Sequence, residues 1–309
     1  MAKKRKSPVK PDAPRKIPDR EKLKGILDDV KDLEVESINS VRIRKNNIQY
    51  LIKWKGFDEK DNSWSNESDC QCEEKINQFY DQQTQVLTSN LSDKEREFFD
   101  WSKEKLGYSL WAADHVLKRN YFVPPVSPHH LIQEILFYDP WKMTIACMLL
   151  NRTSGRVVRH VIYKLFIRYP NPKEMIEKGD ITDIAAIIQP LGLIKRAEYI
   201  HTLSRQFLTG CWKTPIELKG VGKYAEDAYK IFCCGDYKLV QPEDHALNKY
   251  HEWIMKEGDV ESKGEVSHDD LVWGAHLKHE EMKEDEKEWW QTTREMRMEF
   301  AKRMIQLKA

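Results

Sequence analysis

Leu218-Lys219-Gly220-Val221-Gly222-Lys223-Tyr224 and Val240-Gln241-Pro242-Glu243-Asp244-His245, whose Asp244 lies twenty residues beyond Tyr224, are the stretches on which the fold is decided. The first sets two glycines one residue apart between two helical patterns, the arrangement called helix-hairpin-helix. Without Cβ atoms the glycines let the backbone approach a phosphate, and the amides opening the next helix point at that anion. Such a turn also serves as a plain helix connection, so the carboxylate downstream matters. Asp244 precedes the apolar and aromatic run Leu247–Ile254 and is placed to cap that helix. A cap that keeps its carboxylate ionised is also ready to stabilise positive charge.

Outward from these stretches the pattern stays helical. Asp139-Pro140-Trp141 is a helix start, with Asp as cap and Pro at the first helical position, and Met143 to Leu150 is apolar enough to be buried. Val157–Tyr169, Ile181–Gln189, Ala197–Leu208 and Ala225–Cys233 follow as amphipathic helices joined by Pro or Gly turns. Leu91 to Asn120 also reads as a helix with an apolar face, and Pro124-Pro125 and Pro128 mark a boundary after it.

Ahead of the helices the period changes. Val35 to Arg44 and Gln49-Tyr50-Leu51-Ile52-Lys53-Trp54 read as strands with a turn at Asn46-Asn47, a third short run lies near Trp64, and Glu73–Gln82 carries Ile76, Phe79 and Tyr80 on one helical face. The run Tyr50-Leu51-Ile52-Lys53-Trp54-Lys55-Gly56-Phe57 followed by Asp61-Asn62-Ser63-Trp64, with Cys72, Ile76 and Phe79 beyond, resembles the chromodomain of heterochromatin protein 1. The resemblance implies a groove that binds a methylated histone tail as an added strand and encloses methyl-lysine in aromatic rings by cation–π attraction. Trp54 and Phe57 fall on two cage positions and Asp61 on a neighbouring acidic one; the third cage position is Leu33, which is not aromatic. The competing possibility is that Trp54 is a core residue.

Composition narrows the class without naming it. The chain has 309 residues and a formal net charge of +1, so no strong global field announces a polyanionic partner. Charge is local: residues 1–24 are rich in Lys and Arg, Glu280–Glu288 in acids. The basic start cannot repay the entropy of folding and is expected to be a disordered tail, in which Lys3-Lys4-Arg5-Lys6 resembles a nuclear localisation cluster. No signal-peptide or membrane-spanning run occurs, so a soluble protein of the nucleus is expected. The six Cys lack the paired spacing of a zinc site and read as reduced thiols, so no metal is expected.

Four motifs in order carry a second resemblance: Leu150-Asn151-Arg152-Thr153-Ser154-Gly155, Pro190-Leu191-Gly192-Leu193, the Gly220–Tyr224 turn, and Pro242-Glu243-Asp244-His245 with Leu247-Asn248-Lys249-Tyr250-His251. Together they resemble the catalytic domain of the methyl-CpG-binding-domain type thymine and uracil mismatch glycosylase, of the helix-hairpin-helix superfamily. That resemblance implies double-stranded DNA carrying a mismatched or modified pyrimidine as the partner, and removal of the flipped base. It implies Asp244 as the catalytic carboxylate and Gln133 and Tyr224 as the base pocket. Arg152 would fill the vacated space, Leu193 would wedge against the orphaned base, and Gly220, Gly222 and Lys223 would meet the backbone. Enzymes of this superfamily that also cut the strand carry a Lys nucleophile where this chain has Tyr224, so a monofunctional enzyme is implied. No Cys follows Cys234, so the superfamily's iron–sulfur cluster is not expected and no cofactor is called for.

The fold expected is multidomain, a small β-sheet closed by a helix and followed by an all-α glycosylase domain. The boundaries are a basic tail over 1–30, a chromodomain-like module over 31–85, a helical linker over 86–126, the helix-hairpin-helix domain over 127–256 and a charged helical extension over 257–309. In the extension, Trp289-Trp290, Met296, Phe300 and Met304 are spaced to line one helix face. The rival function is a chromatin-binding, methyl-lysine-reading adaptor without catalysis.

Overall fold

The computed structural model describes residues 33–107, 121–150, 153–257 and 282–308. The chain divides into two compact units, Met1–Ser40 with Gln49–Phe79, and Val41–Ile48 with Tyr80–Ala309.

The sheet has three strands, β1 (Val35–Arg44), β2 (Asn47–Trp54) and β3 (Ser63–Asn66), in the order β1-β2-β3. β2 and β3 are antiparallel, Tyr50 opposite Ser65 and Ile52 opposite Ser63. Alternation fixes which face is inward: Ile48, Tyr50 and Ile52 are buried. Lys45 and Asn46, with φ of 50° and 64°, make the turn between β1 and β2. The turn thus sits one residue earlier than Asn46-Asn47, because Asn47 already belongs to β2. Two consecutive left-handed residues match the twist of a tight hairpin. Helix α1 (Glu73–Thr88) follows and buries Phe79; it runs past Gln82, where no Gly or Pro stops it.

Apart from Val41–Ile48, the described residues of the second unit are mostly helical. α2 (Asp93–Leu106) starts at Ser92, whose hydroxyl accepts from the Glu95 amide while the Glu95 carboxylate accepts from the Ser92 amide, and it ends at Gly107 with φ of 76°. The helix expected over Leu91 to Asn120 therefore begins later and stops at that glycine; residues 108–120 lie outside the described residues. Then come α3 (Ile132–Leu136), α4 (Pro140–Leu149), α5 (Gly155–Arg168), α6 (Pro172–Lys178), α7 (Ile181–Ile188), α8 (Arg196–Leu208) and α9 (Lys223–Tyr229). α9 continues as a π-helical turn, Lys230–Cys234, until Gly235 breaks it. α10 (His245–Glu257) and α11 (Glu284–Lys308) are the last helices among the described residues.

α4 forms the middle of the core: Trp141, Met143, Ile145, Ala146 and Leu149 are fully buried, and the Asp139 carboxylate caps the helix by accepting from the Lys142 amide at 3.0 Å. The C-terminal helix is part of the same core. Phe300 of α11 meets Phe98 of α2 edge-on at 5.4 Å and Phe137, next to α3, at 5.5 Å. Of the face expected on α11, Trp290, Phe300 and Met304 are buried. Trp289 stacks on Phe166 of α5 at 6.1 Å.

Candidate active site

Asp244 stands immediately before α10. Its Oδ1 accepts from the amides of Ala246 and Leu247, each at 3.0 Å, and its carbonyl accepts from Asn248 at 2.8 Å, opening the helix. One carboxylate oxygen thus satisfies two otherwise unpaired amides, which fixes the side chain. The residue is exposed to solvent.

Around it lie three side chains from three other helices. Gln133 of α3 is buried, and its Nε2 donates to the Tyr224 phenol of α9 at 2.6 Å. The same Nε2 lies 3.6 Å from Sγ of Cys147, in α4. Burial pushes the Cys147 thiol up to about 12; the Gln133 contact opposes this and the Asp244 charge adds to it. Burial likewise raises the Tyr224 phenol, aided by Cys147 and Asp244 and opposed by Gln133. Both groups feel Asp244, so its carboxylate, Tyr224, Gln133 and Cys147 share one neighbourhood. Both stay neutral at physiological pH, so the cluster sets neutral hydrogen-bonding groups near a carboxylate.

The turn before α9 is held from behind. Gly220 has φ of +76°, and a Cβ there would come within 2.8 Å of the Tyr199 ring. Gly222 caps α9 in extended backbone, and a Cβ there would meet nothing within 4 Å. Gly220 is therefore a glycine for folding reasons, whereas the space over Gly222 is open. The Lys219 amide donates to Oε1 of buried Gln206 at 2.7 Å.

Lys223 does more than the sequence shows. Its ammonium pairs with Asp227 one turn on and donates to the Gln241 carbonyl at 2.9 Å, tying α9 to the strand of chain that carries Asp244. About half of its side chain remains exposed. Leu193 lies in the turn between α7 and α8, half-buried against the core after left-handed Gly192, beside exposed Ile194. Arg152 lies outside the described residues. Cys147 was not among the residues singled out in the sequence, because a lone Cys in an apolar helix carries no signal of its neighbours.

In the sheet, Trp54 ends β2 on the face that buries Ile48, Tyr50 and Ile52, yet it is only half-buried, and its Nε1 donates to Ser63 Oγ at 3.0 Å. The face runs past the edge of the core at this residue. Phe57 is also half-buried. Lys53 holds the turn between them, donating to the carbonyls of Trp54 and Phe57 at 3.0 and 2.7 Å and pairing with Glu36 at 2.8 Å. Asp61 is exposed and its carboxylate accepts from the Asp58 amide at 3.2 Å; Leu33 is half-buried.

Residues 33–82 match the Chromo (CHRromatin Organisation MOdifier) domain. In keeping with this, 58 residues are 33% identical to heterochromatin protein 1 of Drosophila melanogaster, covering 19% of this chain and 28% of that one. A further similarity covers 136 residues, 45% identical to the methyl-CpG-binding domain protein 4-like protein of Arabidopsis thaliana, or 44% of this chain and 30% of that protein. Another covers 105 residues, 31% identical to the thymine/uracil-DNA glycosylase of Pyrobaculum aerophilum, or 31% of this chain and 45% of that enzyme. The chain thus pairs a chromodomain with homology to DNA glycosylases, while spanning less than half the length of each of these relatives. No helix among the described residues is long and apolar enough to cross a membrane.

Proposed function

We propose that the protein is a monofunctional DNA glycosylase that hydrolyses the N-glycosidic bond of thymine or uracil mispaired with guanine, initiating base excision repair in the nucleus. The observation that carries this is Asp244, fixed at the start of α10 and sharing a neighbourhood with Gln133 and Tyr224.

A base in a duplex is out of reach, so the nucleotide is rotated out of the stack at a cost of a few kcal/mol that is lower for a mispair. Gly220, Gly222 and Lys223 form the turn of a helix-hairpin-helix that meets the DNA backbone, and the open space over Gly222 leaves room for a phosphate. Arg152 and Leu193 occupy the gap left by the base. In the pocket, the Gln133 carboxamide pairs with the polar edge of the pyrimidine and Tyr224 packs beside it.

Cleavage of the N-glycosidic bond builds positive charge on the sugar, and the Asp244 carboxylate offsets that charge and orients the attacking water. A Schiff base needs an amine at this point; the residue is Tyr224, and the neighbouring Lys223 ammonium is turned to Asp227 and Gln241. The product is an intact abasic site. The chromodomain directs the enzyme to chromatin by binding a methylated histone tail, with Trp54 and Phe57 as rings and Asp61 as the acidic neighbour.

The test is incubation of the full chain and Asp244→Asn with G·T, G·U and modified-cytosine duplexes, followed by alkaline cleavage of abasic sites. Alkali-dependent breakage by the parent alone is the expected result. Breakage without alkali refutes the monofunctional assignment. Histone-peptide binding without any base release favours an adaptor.

A further inference from the structure

We propose that the C-terminal helix serves the base pocket, with Arg297 of α11 as the residue that positions Gln133; this rests on the glycosylase function proposed above. Gln133 sits in α3, which is only five residues long. A helix of that length does not hold itself together in water, so its order is imposed from outside.

The two ends of α3 are held differently. At the start, the Glu134 carboxylate accepts from the Ser127 amide at 2.6 Å, the Ser127 hydroxyl at 2.9 Å and the Leu131 amide at 2.7 Å. These contacts are local, within seven residues. The peptide carbonyl of Glu134, next to Gln133, is held by a residue 163 positions away: Arg297 Nε donates to it at 2.8 Å. Arg297 Nη2 also donates to the Pro124 carbonyl at 3.2 Å, and the guanidinium lies 5.3 Å from the centroid of the Phe137 ring.

Arg297 is 1% exposed. Burying a guanidinium is costly unless its donors are matched, and here Nε is matched by a backbone carbonyl within α3 and Nη2 by one ahead of it. An apolar side chain would fill the same space without gripping the carbonyl. Phe300 and Met304, one and two turns further along α11, are buried in the shared core and fix where Arg297 reaches. The carboxamide that contacts Tyr224 therefore takes its place from a helix at the far end of the chain.

The experiment is a double-mutant cycle on the full chain. Single-turnover uracil release from a G·U duplex is measured for the parent, Arg297→Met, Arg297→Lys, Gln133→Ala and the two double variants, with melting followed by circular dichroism. Arg297→Met is expected to slow release roughly 10–100-fold, the size expected of a reacting group misplaced by about 1 Å. Arg297→Lys recovers part of the rate, and in the Gln133→Ala background neither change costs more than about twofold, since a residue acting through Gln133 has nothing left to position. Losses that multiply independently of Gln133 overturn the proposal, as does parental activity in Arg297→Met. If both Arg297 variants melt below the assay temperature the proposal also fails, because Arg297 then holds the domain rather than the pocket. A parent that releases no base sinks the glycosylase function itself, a result distinct from independent losses in an active enzyme.

Discussion

The Gln133 carboxamide nitrogen lies 2.6 Å from the Tyr224 phenol oxygen, across 91 positions of sequence. The bond joins α3 to α9 beside Asp244, and removing the hydroxyl leaves a buried amide short of a partner. Tyr224→Phe is expected to cost about 1–3 kcal/mol in chemical denaturation. It should also lower base release, because the carboxamide is then free to rotate. Unchanged stability and rate in Tyr224→Phe would show that the contact orders nothing.

Asp244 has two duties that substitution can separate. Asn keeps an acceptor for the Ala246 and Leu247 amides, whereas Ala removes it. Asp244→Asn should melt close to the parent yet release base at least about 100-fold more slowly. Asp244→Ala should add a stability loss of about 1 kcal/mol. Differential scanning calorimetry beside a single-turnover assay reads both.

The Glu134 carboxyl is pushed up to about 7 by burial, against the pull of Ser127, Leu131 and the Arg297 charge. A folded-state value above the unfolded one means that the protonated form is favoured on folding. This stabilisation is full below about 4.5 and is lost as pH rises through 7. Relative to Glu134→Gln, which cannot ionise, the parent should lose about 3 kcal/mol between pH 4.5 and 8. Urea midpoints at a series of pH values measure this, and parallel curves would contradict it.

The two glycines before α9 should respond in opposite ways. Gly220→Ala places a Cβ against Tyr199 at a positive φ and is expected to destabilise by about 1–3 kcal/mol. Gly222→Ala enters open space and should leave stability within about 0.5 kcal/mol while weakening duplex binding. Thermal melts and fluorescence anisotropy with labelled duplex separate the effects. Equal losses of stability in both variants would show the turn to be purely structural.

In the chromodomain, Leu33 occupies the third cage position by resemblance to heterochromatin protein 1. Leu33→Tyr should tighten a trimethyl-lysine histone peptide by about 0.5–2 kcal/mol and Trp54→Ala should abolish the binding. Calorimetric titration decides this, and equal affinity for unmethylated and trimethylated peptide would remove the cage.

Sequence alone determined what depends on neighbours along the chain. Alternation in β2 set its inward face, Asp139-Pro140 started α4, and Gly220 and Gly222 marked the turn before α9, because cap, period and left-handed backbone are local properties. Local signals also set Asp244 at a helix start. Tertiary structure alone decided which distant residues meet. Cys147 enters the neighbourhood from α4, the Lys223 ammonium turns to Asp227 and Gln241, and Arg297 comes back over 163 positions to grip the carbonyl beside Gln133. Such contacts are set by how helices pack, and packing joins residues that share no local pattern.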